Sequence, residues 1–345
     1  MKKILAAMSG GVDSAVCCAL LQRAGYEAAG GTMLLRPGAE PEAEDARAVC
    51  TVLGVPFYAF GWQAAFRDTV EADFCRQYAA GRTPNPCILC NKTIKFGLFL
   101  DEALRLGYDG MATGHYARIE RDAGSGRYLL RMAADTAKDQ TYMLYGLSQD
   151  QLRRSVLPLG EYTKAQVREI AADLGLHLAS KHDSQDVCFI PDGDYCAYLT
   201  DSGMILTPGR FRDAQGKDLG PHRGAECYTI GQRRGLGLSF GERVYVTGKP
   251  WPDVTVGSNA DLFSRRVFVE AVNYVAVEKL DAPMRVQAKL RYTPRFADAL
   301  LIPTETGAEL RFDAPQRAVT PGQAAVFYAD DYVLGGGTIA GAEKA

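Results

Sequence analysis

Six residues near the start constrain the fold most. Ser9-Gly10-Gly11-Val12-Asp13-Ser14 follows a short apolar segment, Lys3 to Met8. It leads into Ser14 to Ala24, where Val16, Leu20 and Leu21 recur at helical spacing before Gly25 stops the run. Strand, glycine turn and helix in that order make an anion site. Glycine lets the backbone turn tightly and approach an oxygen with no Cβ in the way, and the N–H groups that open the helix stabilise negative charge. Ser9 and Ser14 add hydroxyl donors, and Asp13 is a candidate to hold a magnesium ion or orient a pyrophosphate. The string is neither a Walker loop nor Gly-x-Gly-x-x-Gly, which speaks against a kinase or a nicotinamide enzyme. A simple turn whose Asp13 caps a helix remains open on these residues alone.

The alternation continues. A second strand is expected over Ala28 to Leu35, a polar loop over Arg36 to Glu44, a helix over Asp45 to Leu53 closed by Gly54, and a third strand over Val55 to Phe60. Phe66, Val70 and Phe74 mark one face of a helix from Ala64 to Tyr78, and helix and strand resume at Thr93 to Leu106 and Gly110 to Gly114. Gln149 to Leu176 reads as helical. This repetition implies α/β architecture with a mainly parallel sheet covered by helices. Near Pro191 to Thr200 the character changes. Short apolar segments then alternate with turns: Tyr228 to Ile230, Val244 to Val246, Val267 to Val275, Val286 to Tyr292, Glu309 to Phe312, Ala324 to Tyr328 and Tyr332 to Ile339. The expected division is an N-terminal catalytic domain over 1–200, a small central domain over 201–265 and a C-terminal antiparallel β-barrel over 266–345. Gly341 to Ala345 reads as a loose tail.

With 39 Lys and Arg against 41 Asp and Glu in 345 residues, the chain has no dominant basic surface of the kind that binds DNA or membranes. An RNA partner would need a dedicated face. Between residues 208 and 234, Arg210, Arg212, Lys217, Arg223, Arg233 and Arg234 outnumber Asp213, Asp218 and Glu226 and supply one. No run of 18 apolar residues and no secretory leader is seen, so a cytoplasmic protein is expected. Nine cysteines, an odd number, do not make a fully paired secreted framework.

Cys87 and Cys90 lie in Gly81 to Lys92, read as a loop that Pro84 and Pro86 stiffen ahead of the helix from Thr93. The positive end of that helix, with Arg82, Lys92 and Lys95, would favour a Cys90 thiolate. A Cys-x-x-Cys is a redox pair, half a zinc site, or two buried small hydrophobes. No second pair occurs and His115, His177, His182 and His222 are scattered, which disfavours a structural zinc with four cysteine ligands. Cys188 stands between the polar stretch Lys181 to Asp186 and the apolar Phe189-Ile190.

Seven strings, in order, carry a resemblance over nearly the whole chain: Ser9 to Ser14, Gly81 to Lys92, Ala112 to Tyr116, Lys138 to Tyr142, Asp183 to Phe189, Tyr228 to Gly237 and Thr320 to Tyr328. On these the chain resembles the tRNA-specific 2-thiouridylases. These are ATP pyrophosphatases with a phosphate-loop domain of the adenine-nucleotide α-hydrolase type, and they thiolate the wobble uridine of certain tRNAs. The resemblance implies ATP with Mg2+, a tRNA with a wobble uridine as substrate, and a cysteine desulfurase or sulfur-relay protein as the sulfur source. It implies that Ser9 to Ser14 bind ATP together with Met33, Gly114 and His115, and that Lys138, Asp139, Gln140, Arg233 and Arg234 contact tRNA. Cys188 then carries a persulfide that attacks the activated base, and Cys90 frees the sulfur by forming a disulfide with Cys188. Many members carry aspartate where this chain has Cys87, leaving Cys87 as a catalytic auxiliary whose fitness depends on its pKa. The alternative is an iron–sulfur cluster held by Cys87, Cys90 and Cys188. Arg36 to Glu44 is shorter than the usual family loop and lacks its cysteine, so no essential chemistry is expected there. An ATP pyrophosphatase acting on a small molecule, or an RNA-binding protein without turnover, are the rival classes.

Overall fold

Both faces of the first strand are covered, which is why it reads as an unbroken apolar run. In β1 (Lys3–Ala7), Ile4 and Ala6 pack with Val16, Leu20 and Val49. Leu5 and Ala7 pack on the other side of the sheet with Phe99, Met111 and Leu152. The computed structural model describes residues 1–175, 187–238, 243–293 and 295–345. After β1 come α1 (Val12–Arg23), β2 (Glu27–Leu34), α2 (Glu40–Leu53) and β3 (Phe57–Gly61). Helix α2 starts five residues before the expected Asp45. Pro41 in its first turn fixes φ, and Glu40 and Glu42 complement the helix dipole.

Two helical rods follow, each widened by a π-helical stretch. The first joins α3 (Gln63–Phe66) to α4 (Ala72–Ala79) through Arg67–Glu71; the second joins α5 (Pro86–Cys90) to α6 (Phe99–Arg105) through Asn91–Leu98. The second rod corrects the reading of Gly81 to Lys92 as a loop. Asn85 accepts the Cys87 N–H at 3.2 Å and Pro86 takes the first helical position, so Cys-x-x-Cys forms the opening turn of the helix.

Next come β4 (Gly110–Ala112), β5 (Ala117–Arg121), β6 (Tyr128–Met132), α7 (Gln149–Arg153), β7 (Ser155–Val156) and α8 (Lys164–Asp173). The first sheet is parallel throughout, in the order β3-β2-β1-β4-β7. Strand β7 interrupts the stretch read as helical, since two residues are too few to carry a period. Strands β5 and β6 pair as an antiparallel hairpin that the sequence pattern does not announce. Its turn is set by Asp122, whose carboxylate accepts the Ser125 N–H at 2.7 Å and hydroxyl at 2.6 Å.

The central unit holds α9 (Tyr195–Asp201), β8 (Gly209–Arg212), β9 (Asp218–His222), β10 (Tyr245–Gly248) and β11 (Val254–Gly257), with sheet order β10-β11-β8-β9. Tyr228 to Ile230 is not a strand: Tyr228 is buried against the rings of Phe211 and His222 at 5.1 and 5.5 Å. Cys196 and Cys227 form a disulfide, Cα to Cα 5.2 Å, that ties α9 to this unit. The barrel consists of β12 (Phe263–Tyr274), β13 (Met284–Lys289), β14 (Ala297–Thr304), β15 (Gly307–Arg317), β16 (Ala324–Ala329) and β17 (Tyr332–Lys344). All its pairings are antiparallel, and β12 closes on β17. Residues Gly341 to Lys344 are therefore no loose tail, because closure needs them opposite Phe268 to Ser264. Strand β17 also takes up the hairpin, Tyr332 facing Arg131, so the barrel is sewn onto the first unit. Among the described residues no helix is long and apolar enough to cross a membrane.

Candidate active site

The loop after β1 has the anion-binding form. Gly11 caps α1 without a side-chain hydrogen bond, so the opening N–H groups of the helix are not spent on a capping side chain. Ser9 N–H donates to Ser14 Oγ at 3.2 Å, and Ser14 Oγ donates to the Gly11 carbonyl at 2.9 Å, which fixes the turn from within. Gly10 has φ +68°, and a Cβ there would stand 2.8 Å from the Glu42 carbonyl oxygen, where α2 packs on the loop. Part of the stretch from Arg36 to Glu44 is thus the wall that shapes the phosphate loop. Gly114 closes the other side, since a Cβ would come within 2.9 Å of the Asp13 carbonyl carbon. Val12 is buried at the start of α1, and Met33, half-buried in β2, packs in the cluster of Phe99 and in that of Cys90.

Asp13 is not an open carboxylate. Lys164 Nζ lies 2.9 and 2.8 Å from its two oxygens, and the Tyr116 hydroxyl donates to Oδ1 at 2.8 Å. A carboxylate already occupied in this way does not fit the role of a magnesium ligand. Lys164 was missed because it lies 151 residues from Asp13, at the start of a helix that reads as ordinary surface. Thr163 caps that helix with a reciprocal Gln166 box, which aims the Lys164 stem at the loop.

His115 links this loop to the cysteines. Its Nδ1 is 2.7 Å from Thr113 Oγ1, its ring lies 5.8 Å from that of Phe96, and burial together with the charge of Lys95 keeps it neutral, well below the usual imidazole range. Lys95 has no ion-pair partner among the described residues, and its charge also reaches Cys87, Cys90 and Cys188. The three thiols form one electrostatic group: Cys90 feels both others, and Cys188 feels Cys87. Phe189 anchors this approach, packing in the Cys90 cluster and setting its ring 5.7 Å from Phe66 and 5.3 Å from Phe74. Cys87 and Cys188 are exposed; Cys90 is buried.

The favoured Cys90 thiolate is overturned. Burial pushes its pKa up to about 11 and outweighs Lys95, while Arg82 is drawn off to Glu270 and Lys92 points to solvent. Burial also raises Cys87 and Cys188, so all three rest as thiols at neutral pH. Lys95→Met is expected to raise them further. Alkylation of Cys90 at pH 8 then slows by roughly threefold to tenfold and its titration moves to higher pH. Unchanged pH profiles for all three thiols would remove Lys95 from the site. The cluster alternative is not supported, because among the described residues no group of three or more His, Cys, Asp or Glu is arranged to hold a metal ion. Residues Lys181 to Asp186 lie outside the described residues, as do His177 and His182.

Two residues expected on tRNA are committed elsewhere. The Asp139 side chain is 1% exposed, accepts the Thr141 hydroxyl at 2.7 Å and the Ala133 N–H at 3.2 Å, and pairs at 3.6 Å with Lys289 of the barrel. A carboxylate sealed in this way joins two units and has no face for RNA. Gln140 is held by Tyr116 in both directions: its Oε1 accepts the Tyr116 N–H, and its own N–H donates to the Tyr116 carbonyl, each at 2.9 Å. Lys138, half-exposed, flanks them. Arg233 and Arg234 are exposed and have no ion pair among the described residues, whereas Arg210 and Arg212 are neutralised by Asp218 and Asp253.

The comparisons with known proteins agree in order along the chain. Residues 2–192 match a family described as tRNA methyl transferase HUP domain, 198–256 its PRC-barrel domain, and 264–339 an aminomethyltransferase beta-barrel domain. The chain is 44% identical to tRNA-specific 2-thiouridylase MnmA of Acetivibrio thermocellus over 98% of this chain and 99% of that one. It is 45% identical to the protein of that name from Heliobacterium modesticaldum, over 97% and 92%. Against the one from Pelotomaculum thermopropionicum the identity is 44%, over 98% and 97%.

Proposed function

Since this chain belongs to the tRNA-specific 2-thiouridylase family, we propose that it uses ATP to replace the C2 oxygen of a wobble uridine in tRNA with sulfur. The observation that carries this reading is the helical rod that begins at Pro86: it carries Cys87 and Cys90 in its first turn, packs Cys90 in one cluster with Phe189, the neighbour of Cys188, and sets the Phe96 ring 5.8 Å from His115 beside the phosphate loop, so that nucleotide and sulfur chemistry share one site. The proposed working residues are Ser9 to Ser14 with Gly114 and His115 for ATP, Cys188 as sulfur carrier and Cys90 as its partner. The divisions at residues 200 and 265 are proposed as the functional ones.

The uridine O2 attacks the α-phosphorus and pyrophosphate leaves, with the opening N–H groups of α1 taking up negative charge on the phosphates. Magnesium, when bound to ATP, would neutralise part of the same charge. The terminal sulfur of the Cys188 persulfide then attacks C2 and AMP leaves. Finally Cys90, deprotonated, attacks Cys188 Sγ; the sulfur–sulfur bond breaks, the sulfur stays on the base, and Cys90–Cys188 becomes a disulfide. Swinging the base out is least costly from a single-stranded loop such as an anticodon.

The test is direct. Enzyme, an unmodified tRNA transcript, ATP and a persulfide-donating desulfurase or relay protein should give thiouridine with one AMP and one pyrophosphate each. Nucleotide turnover that ignores RNA would instead favour a small-molecule substrate. Arg233→Glu with Arg234→Glu should weaken tRNA binding by roughly 10- to 100-fold and flatten the salt dependence by about two phosphate contacts. Equal affinity at every salt concentration would move the RNA face elsewhere.

A further inference from the structure

Cys87 has no part in the scheme above, yet it shares a helix with Cys90 and an electrostatic neighbourhood with Cys188. Resting on that scheme, we propose that Cys87 is a third thiol of the sulfur relay, which takes Cys90 out of the Cys90–Cys188 disulfide and closes a Cys87–Cys90 disulfide at the start of α5.

Helix geometry permits it. Residues three apart on an α-helix have Cα atoms about 5 Å apart, inside the roughly 4.4–6.8 Å that disulfides span. Asn85 and Pro86 fix the helix start, so Cys87 sits in the first turn, where the helix dipole favours a thiolate as the proton leaves. Accessibility supplies the reason for a third thiol. Cys90 is only 8% exposed, so a protein reductant has poor access to it, whereas Cys87 is open to solvent.

The exchange is balanced. Cys87, as thiolate, attacks Cys90 Sγ; the Cys87–Cys90 bond forms, the Cys90–Cys188 bond breaks, and the electron pair leaves on Cys188 Sγ, which takes up the proton that Cys87 lost. No net oxidation occurs in this step, and Cys188 is free to be reloaded. An external dithiol then reduces Cys87–Cys90 to two thiols and becomes a disulfide itself.

The experiment uses the full chain, charged with one persulfide sulfur and mixed with tRNA transcript and ATP without reductant. After alkylation, disulfides are mapped by mass spectrometry. Wild type should hold Cys87–Cys90 with Cys188 alkylated. Cys87→Ser should hold Cys90–Cys188, and with thioredoxin as reductant it should stall after about one thiouridine per enzyme, at least tenfold slower thereafter. Cys87→Ala guards against an effect of the serine hydroxyl and should behave alike. A wild-type chain left as Cys90–Cys188, or either variant turning over at the wild-type rate, overturns the relay while leaving the thiolation reading intact. If wild type makes no thiouridine at all, the underlying reading fails and the relay with it.

Discussion

Cys188→Ala is expected to make no detectable thiouridine, a loss of at least a thousandfold, while still releasing pyrophosphate from ATP in the presence of tRNA. The two half-reactions use different atoms. Activation needs the phosphate loop and the uridine oxygen, and the loop is held by Ser14, by Gly10 against α2 and by Gly114 against Asp13. Sulfur delivery needs an exposed thiol that a partner can charge, and Cys188 is exposed while its neighbour Phe189 packs in the Cys90 cluster. Alanine removes the sulfur atom and little else, since Phe189 holds this segment in the aromatic cluster of Phe66 and Phe74. Radiolabelled pyrophosphate exchange and thiouridine analysis on the same sample separate the steps. Thiouridine at the wild-type level would move the sulfur carrier to another residue.

Lys164→Met is expected to lower ATP-dependent pyrophosphate release by about a hundredfold, or roughly 2.7 kcal/mol. In the folded chain the ammonium cancels the Asp13 carboxylate at 2.8 Å, so the first turn of α1 meets polyanionic ATP with its dipole and N–H groups unopposed. Methionine keeps most of the stem's volume but leaves the carboxylate facing the phosphates and only Tyr116 to hold it. The same uncompensated charge should cost about 2 kcal/mol of stability, a fall in melting temperature of roughly 4–8 °C for a domain of this size. Adding Asp13→Asn removes the charge and should return most of the melting temperature and part of the rate. A Lys164→Met enzyme as fast as wild type would make the pair a mere structural tie.

The phosphate loop was legible in sequence because it is local: strand, two glycines and helix are contiguous, and the chemistry lies in the backbone they shape. The parallel sheet and the barrel were legible for a similar reason, as runs of apolar residues with characteristic spacing. Periodicity failed where elements were short or where a cap outranked it. Strand β7 is two residues long, and Asn85 with Pro86 started a helix seven residues before its apolar rhythm at Thr93. The Lys138-Asp139-Gln140 string shows the opposite error, since charged and amide side chains read as a solvent or RNA face are spent on Lys289, Thr141 and Tyr116.

Residue types and their neighbours in the chain thus settled which chemistry is available here: an anion-binding turn, thiols, and a basic stretch. Three-dimensional packing settled which of those groups meet and in what state. It joined Lys164 to Asp13 across 151 residues, packed Phe189, the neighbour of Cys188, into the cluster of Cys90, and turned Cys90 from an expected thiolate into a buried thiol. The reason is physical. A turn or a cap is governed by bonds within a few residues, but the charge state of a side chain depends on its total desolvation and on every charge near it, and those come from distant parts of the chain.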